Sequence, residues 1–366
     1  MNFRPRFEPD WSVSPGATIR AIMASRNLLE ADVSAQLDLD LEDLSDLIEG
    51  RKAIDQRMAD RLAEVLGTSP KFWLRREESF RQARSPARGE DLAGERSSFI
   101  ANLPVSDMRK LGWISDYDRN TRNEAVLSFF EDEFGDWRRN GRDLLEAVAF
   151  RTSQTHAAVP AAVAAWLRQG VIQARQLPRK NWNADTLRRS LDSIRILSRE
   201  KNPTVFFPKL VEIGLQAGVS VVCVRTPKGC RASGATHFAP DGTPIIQLSF
   251  RYRSDDHFWF TVFHEIGHLI LHHNSPMFVE GIDCLASDEE AEADKFAQNT
   301  LIPPSSQHEI SEIGRDFKKI MRFARRCGIS AGIVVGQMQK RNLLRYDEMN
   351  FLKTRYDWSQ VKPFTP

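Results

Sequence analysis

Residues 258–272 read Phe258-Trp-Phe-Thr-Val-Phe-His264-Glu265-Ile-Gly-His268-Leu-Ile-Leu-His272. The run is too apolar and too long for one strand, and its flanks read as a helix from about Asp256 to His272. His264 and His268 are four apart, so they share one helix face and both imidazoles reach one metal ion. Glu265 stands beside them at the rim. Histidine on so apolar a helix is expensive unless its nitrogens are satisfied. With eight histidines in the chain, a chance H-E-x-x-H arises in about one such sequence in a hundred, which favours a metal over two core histidines.

A hydrolytic zinc site needs a third protein ligand and an open position for water. The next helix supplies acids: Asp288-Glu289-Glu290-Ala-Glu292-Ala-Asp294. Taken alone, this cluster is an ordinary acidic helix start. Beside the histidines it offers Glu290 as ligand and, four residues on, Asp294 as acceptor for a ligand histidine's spare N–H. Glu289 remains a rival, and Glu292, two positions from Glu290, is expected to point elsewhere. Zn2+ in such a site activates a water and polarises a scissile carbonyl, with Glu265 as general base. His237, Arg251, Tyr252 and His273 are oxyanion donors by residue type, and the sequence does not choose among them. Segment 244–248, just before the helix, is read as a strand edge to which an extended peptide adds.

Outward from this region, composition excludes several classes. The formal net charge of +2 in 366 residues implies neither a nucleic-acid nor a membrane partner by bulk attraction. No apolar run approaches the roughly 20 residues of a membrane span, and the first 15 residues lack the apolar core of a secretory signal. Cys223, Cys230, Cys284 and Cys327 form no C-x-x-C pair and read as buried free thiols in a reducing cytoplasm.

Along the chain, residues 15–82 carry five short helical patterns, the third with Leu41, Leu44, Leu47 and Ile48 on one side. Residues 84–103 read as a linker and 104–204 as a helical middle region. After Pro208 the texture changes to short β-branched runs, with a hairpin across Ala239-Pro-Asp-Gly-Thr243. The expected organisation is a helical domain over 1–83, a metallopeptidase core over 205–304 and a helical extension over 305–366. The fold class is α+β, mainly helical, with a small sheet. Two basic stretches, 137–142 and 315–326, offer phosphate contacts. The second precedes a Gly-Ile-Ser turn and another helix, so it reads either as a second helix-turn-helix or as a solvated face.

At Gln247-Leu-Ser, at 258–272, at Glu290-Ala-Glu-Ala-Asp-Lys-Phe-Ala297 and at Leu301-Ile-Pro-Pro304 the chain resembles the ImmA/IrrE metallopeptidases. The resemblance covers about 205–345. It implies a gluzincin-like zinc core, Glu290 as third ligand and cleavage of a partner transcriptional repressor. Many relatives carry Asn where this chain has Asp294.

A second resemblance, to the Cro/C1-type helix-turn-helix and its antitoxin-like branch, rests on Pro15-Gly16, Leu28, Ala31, Val33, Leu37, Leu44, Leu47, Ile48, Gly50, Leu62, Leu66 and Phe72-Trp73. Its DNA-facing chemistry departs from that family. Asp38 stands where the turn favours Gly. The would-be recognition helix carries Asp40, Glu42, Asp43 and Asp46, which repel phosphates. Two readings follow: an endopeptidase whose N-terminal domain recruits a protein substrate or forms a homodimer, or a helix-turn-helix regulator or antitoxin that binds DNA or a toxin and carries a silent or structural metal site. Glu265 separates them, because a structural site needs no general base.

Overall fold

The computed structural model describes residues 15–25, 28–66, 70–83, 92–131, 144, 159–239, 241–272, 277–279 and 288–357. The chain divides into two compact units, Met1–Phe150 and Arg151–Pro366. The division falls inside the 104–204 segment.

The first unit opens with α1 (Pro15–Ser25), α2 (Glu30–Leu37), α3 (Leu41–Ile48), α4 (Gln56–Leu66) and α5 (Pro70–Ala83). The apolar positions read from sequence meet in one core of Ile19, Val33, Leu37, Leu44, Leu47, Leu62 and Trp73. Gly16 is required by packing: a Cβ there would sit 1.6 Å from the Ile48 carbonyl oxygen. Asp38 closes α2 in the left-handed region, φ 56° and ψ 48°. An acid tolerates that conformation less well than Gly, and here Arg61 braces it. Its guanidinium donates to Asp38 Oδ2 at 2.9 Å and to the Leu37 carbonyl at 2.7 Å. On α3, Asp40 caps the helix by accepting the Asp43 N–H. Asp43 pairs with Lys52 and Asp46 with Arg51, so the acidic face is partly neutralised by its own chain.

The presumed linker is partly structured. Residues 92–102 form α6 (Leu92–Asn102), because Phe99 and Ile100 are buried and Phe99 packs edge-on against Phe130. The rest of the linker, 84–91, lies outside the described residues, as does the basic stretch 137–142. Then come α7 (Val105–Lys110) and α8 (Arg122–Phe130).

The second unit comprises α9 (Pro160–Ala174), α10 (Ala184–Leu197), α11 (Pro203–Gln216), β1 (Ser220–Cys223), β2 (Gly234–Phe238), β3 (Pro244–Leu248), α12 (Asp255–Leu271), β4 (Met277–Val279), α13 (Asp288–Leu301), α14 (Phe317–Cys327) and α15 (Ala331–Lys340). Pro208 lies inside α11 rather than marking a boundary. Burial of Phe206, Phe207, Leu210 and Val211 carries the helix through it. The strand order is β1-β3-β2-β4. β2 and β3 form the expected hairpin, and β1 runs parallel to β3. This overturns one expectation: β3 is paired on both sides and presents no edge. A parallel partner comes from a distant segment and leaves no local turn signal.

Side chains alternate across the sheet. Thr236 meets α12, whereas His237 points to the other face, where α9 lies. α12 is buried almost from end to end, between the sheet, α13 and α15. Its N-terminal end packs Phe258 and Trp259 against Phe206, Phe250 and Tyr356. α15 is buried on nearly every side, including Ile333, Val334, Val335, Gln337 and Met338. Of α15 only Lys340 is exposed, whereas basic α14 keeps Lys318, Lys319, Arg322, Arg325 and Arg326 exposed. Cys223, Cys230 and Cys327 are free and buried, as expected, and Cys284 lies outside the described residues. No helix among the described residues is long and apolar enough to cross a membrane.

Candidate metal centre

Two helices build the site. α12 carries His264 and His268 on one face, and α13 lies against it with Glu290 in its first turn. His264 Nε2 and His268 Nε2 are 3.0 Å apart. Glu290 reaches both, with Oε2 3.2 Å from His264 Nε2 and Oε1 3.2 Å from His268 Nε2. Two imidazole nitrogens and the two oxygens of one carboxylate thus gather around one point. Donors about 2.0–2.1 Å from a tetrahedral ion stand about 3.3 Å from one another, so the three side chains fit a single zinc-sized ion. Among the described residues His264, His268 and Glu290 form the one such cluster.

Protonation agrees with this fit. Burial pushes the Glu290 carboxyl up, but the His264 and His268 rings beside it outweigh burial and bring the value to about 2. Burial holds the His268 imidazole below its usual range, against the opposing effect of Glu290. An ionised carboxylate and neutral imidazoles are the forms that bind a metal. The tautomer of His264 follows from its partner. Its Nδ1 lies 3.0 Å from Asp294 Oδ1. A carboxylate only accepts, so Nδ1 carries the hydrogen and Nε2 turns its lone pair to the cluster.

Residues 219–337 match the model of the IrrE N-terminal-like domain. The match covers about a third of the chain and supports a metallopeptidase of the ImmA/IrrE type. No curated protein matches the chain.

Glu265 lies on α12 next to His264 and is fully buried. Its Oε2 accepts from Thr236 Oγ1 at 2.7 Å, and the same hydroxyl lies 3.0 Å from the Glu265 carbonyl oxygen. Strand β2 can come this close because position 234 is glycine; a Cβ there would lie 2.6 Å from Glu265 Oε1. Thr236 was missed from sequence. Its only signal is its parity with Gly234 on a strand whose face cannot be assigned before the sheet is known.

The oxyanion candidates are not gathered. His237 is buried behind the sheet, its Nε2 3.1 Å from Gln247 Oε1, and Gln247 donates in turn to the Trp166 carbonyl. Burial pulls its pKa down to about 4, with Gln247 opposing. Arg251 donates to the Arg231 carbonyl and lies over the Tyr252 ring. Tyr252 stacks on His257 in the first turn of α12. His264 is seven residues further on, about 10 Å along the helix axis. His273 lies outside the described residues. Glu289 is not in the metal cluster. Glu292 is not in the metal cluster; its Oε2 lies 2.8 Å from His272 Nε2. Spacing within α13 does not encode that contact, because His272 belongs to α12, one turn beyond His268.

Proposed function

We propose that this chain is a zinc-dependent endopeptidase that cleaves a partner protein, a transcriptional repressor or antitoxin-type regulator. The observation that carries the reading is the convergence of two imidazole Nε2 atoms and one carboxylate at 3.0–3.2 Å with a buried general base beside them. His264, His268 and Glu290 would hold the ion, and three protein ligands leave a position open. Bound zinc supplies Lewis acidity toward a water and the scissile carbonyl.

The remaining steps belong to the chain. Glu265 takes a proton from the attacking water and delivers it to the leaving amine nitrogen. Thr236 holds the carboxylate in place for both transfers, and Asp294 keeps the His264 hydrogen on Nδ1. An extended peptide would add at β4, which among the described residues pairs only with β2. The N-terminal helical unit resembles a Cro/C1-type helix-turn-helix. We assign it to recruiting the substrate or to dimerisation rather than to DNA, since Glu42, Asp43 and Asp46 stand on the exposed side of α3.

The test is metal content by elemental analysis on full-length wild type, Glu265→Gln and the His264→Ala/His268→Ala double variant. About one zinc per chain is expected in the first two and none in the third. Glu265→Gln then serves as an inactive trap for the substrate. A wild type that takes up no divalent metal sinks the proposal.

A further inference from the structure

The two histidines of the cluster are not supported in the same way. Asp294 touches His264 directly. His268 Nδ1 lies 3.4 Å from His272 Nδ1. His272 is the residue that ends α12, with its backbone N–H donating to the His268 carbonyl at 2.8 Å. Its ring is largely buried, and its Nε2 lies 2.8 Å from Glu292 Oε2. From these contacts we infer that His272 and Glu292 form a positioning relay that sets the tautomer of His268 and aims its Nε2 at the metal.

The contacts fit one arrangement of hydrogens. A carboxylate oxygen accepts, so the His272 nitrogen beside Glu292, Nε2, carries a hydrogen. In that tautomer His272 presents a lone pair at Nδ1. That lone pair accepts the hydrogen on His268 Nδ1, which leaves His268 Nε2 bare toward His264 and Glu290. The opposite arrangement puts a hydrogen on His268 Nε2, inside the cluster, where it blocks a ligand position. Both histidines are therefore aimed from α13, one through Asp294 and one through Glu292 by way of His272. Glu290, Glu292 and Asp294 thus serve one site at three successive even positions of one helix.

The inference rests on the zinc reading of the site, and the experiment separates the two. Zinc affinity would be measured on the full-length chain by competition with a chromophoric chelator. The proteins are wild type, Glu292→Ala, His272→Ala, the double variant and Glu292→Gln. Melting of each metal-free protein would be recorded alongside. Loss of a histidine's outer partner weakens metal binding about 10–100-fold. That loss is expected for Glu292→Ala and His272→Ala, with unchanged metal-free melting. The double variant should be no weaker than His272→Ala, because Glu292 acts only through His272. Glu292→Gln keeps an acceptor oxygen and should recover most of the affinity. The Co2+-loaded variants should show altered ligand-field bands, as a reoriented imidazole requires.

Wild-type affinity in both single variants overturns the relay while leaving the zinc reading intact. Losses that add in the double variant overturn it as well. A fall in affinity matched by a fall in metal-free melting shows a structural role and also overturns it. Failure of wild type itself to bind zinc overturns both readings.

Discussion

Helices α3 and α12 both concentrate polar side chains on a short stretch, but their surroundings differ. On α3 the acids point outward, and Asp43 and Asp46 have a Lys or Arg partner a few residues away. On α12 the histidines and Glu265 are buried, and the imidazoles face one another. Exposed ion pairs contribute about 0–1 kcal/mol each. A buried polar group without a partner costs about 1–3 kcal/mol or more. Sequence drift can rearrange the first kind of cluster freely. The second persists only if something satisfies it, so convergence under burial, rather than charge density, marks the site.

The sharpest way to break this contrast is to remove the carboxylate that completes the buried cluster. Glu290→Ala deletes one of three donors, and zinc affinity should fall by more than about a hundredfold, beyond the effect of an outer partner. Glu289→Ala, one residue away and outside the cluster, should bind zinc as wild type does. Chelator competition reads both. Equal losses would mean that the acidic helix start attracts the ion by general charge, as on any surface helix.

Burial also makes a prediction about pH at the other end of α12. Asp255 is fully buried, accepts from Ser330 Oγ and the Thr354 N–H, and has Asp256 beside it. Lys353 pairs with Asp256, not with Asp255. Burial raises the Asp255 carboxyl to about 6, with the Ser330 hydrogen bond opposing. A folded value above the unfolded one contributes stability that is full below the unfolded pKa and is lost as pH rises through about 6. Wild type should therefore lose up to about 3 kcal/mol relative to Asp255→Asn between pH 4 and 7. Denaturant melts across that range test it. Parallel pH curves for the two proteins would show that Asp255 titrates normally.

The same contrast explains what could be read before the structure. The acidic run from Asp288 reads as a helix start, and α13 begins there and ends at Leu301 just before Ile302-Pro303-Pro304, because an acidic start and a Pro stop are local signals. The four-residue spacings that join His264 to His268 and Glu290 to Asp294 are local too. Thr236, His272 with Glu292, and the placement of β3 between β1 and β2 depend on which elements become neighbours. No spacing within one segment encodes that. His237 shows the converse error: residue type suggested a donor, and strand parity sent it to the opposite face of the sheet.

Thr236→Val sharpens the comparison at a single hydroxyl. The substitution keeps the shape and removes the donor to buried Glu265, so stability should fall by about 1–3 kcal/mol. Zinc content should stay at one per chain, since Thr236 touches no member of the metal cluster. Substrate cleavage should fall with the base misdirected. A variant as stable as wild type would show that Glu265 is satisfied without this hydroxyl.

The smallest effect belongs to the exposed helix. Asp46→Asn removes one partner of Arg51, whose guanidinium also contacts Glu49 and so keeps a carboxylate within reach. Both members of the pair are over a third exposed, where solvent and salt screen the attraction. The melting of the first unit should change by no more than about 0.5 kcal/mol, and less at high salt. Because α3 keeps its Asp40 cap and its Leu44, Leu47 and Ile48 core contacts, the helix has no other reason to weaken. A loss of several kcal/mol would place Asp46 in a structural network. The acids of α3 would then belong with those of α12, as groups held for a purpose rather than a solvated face.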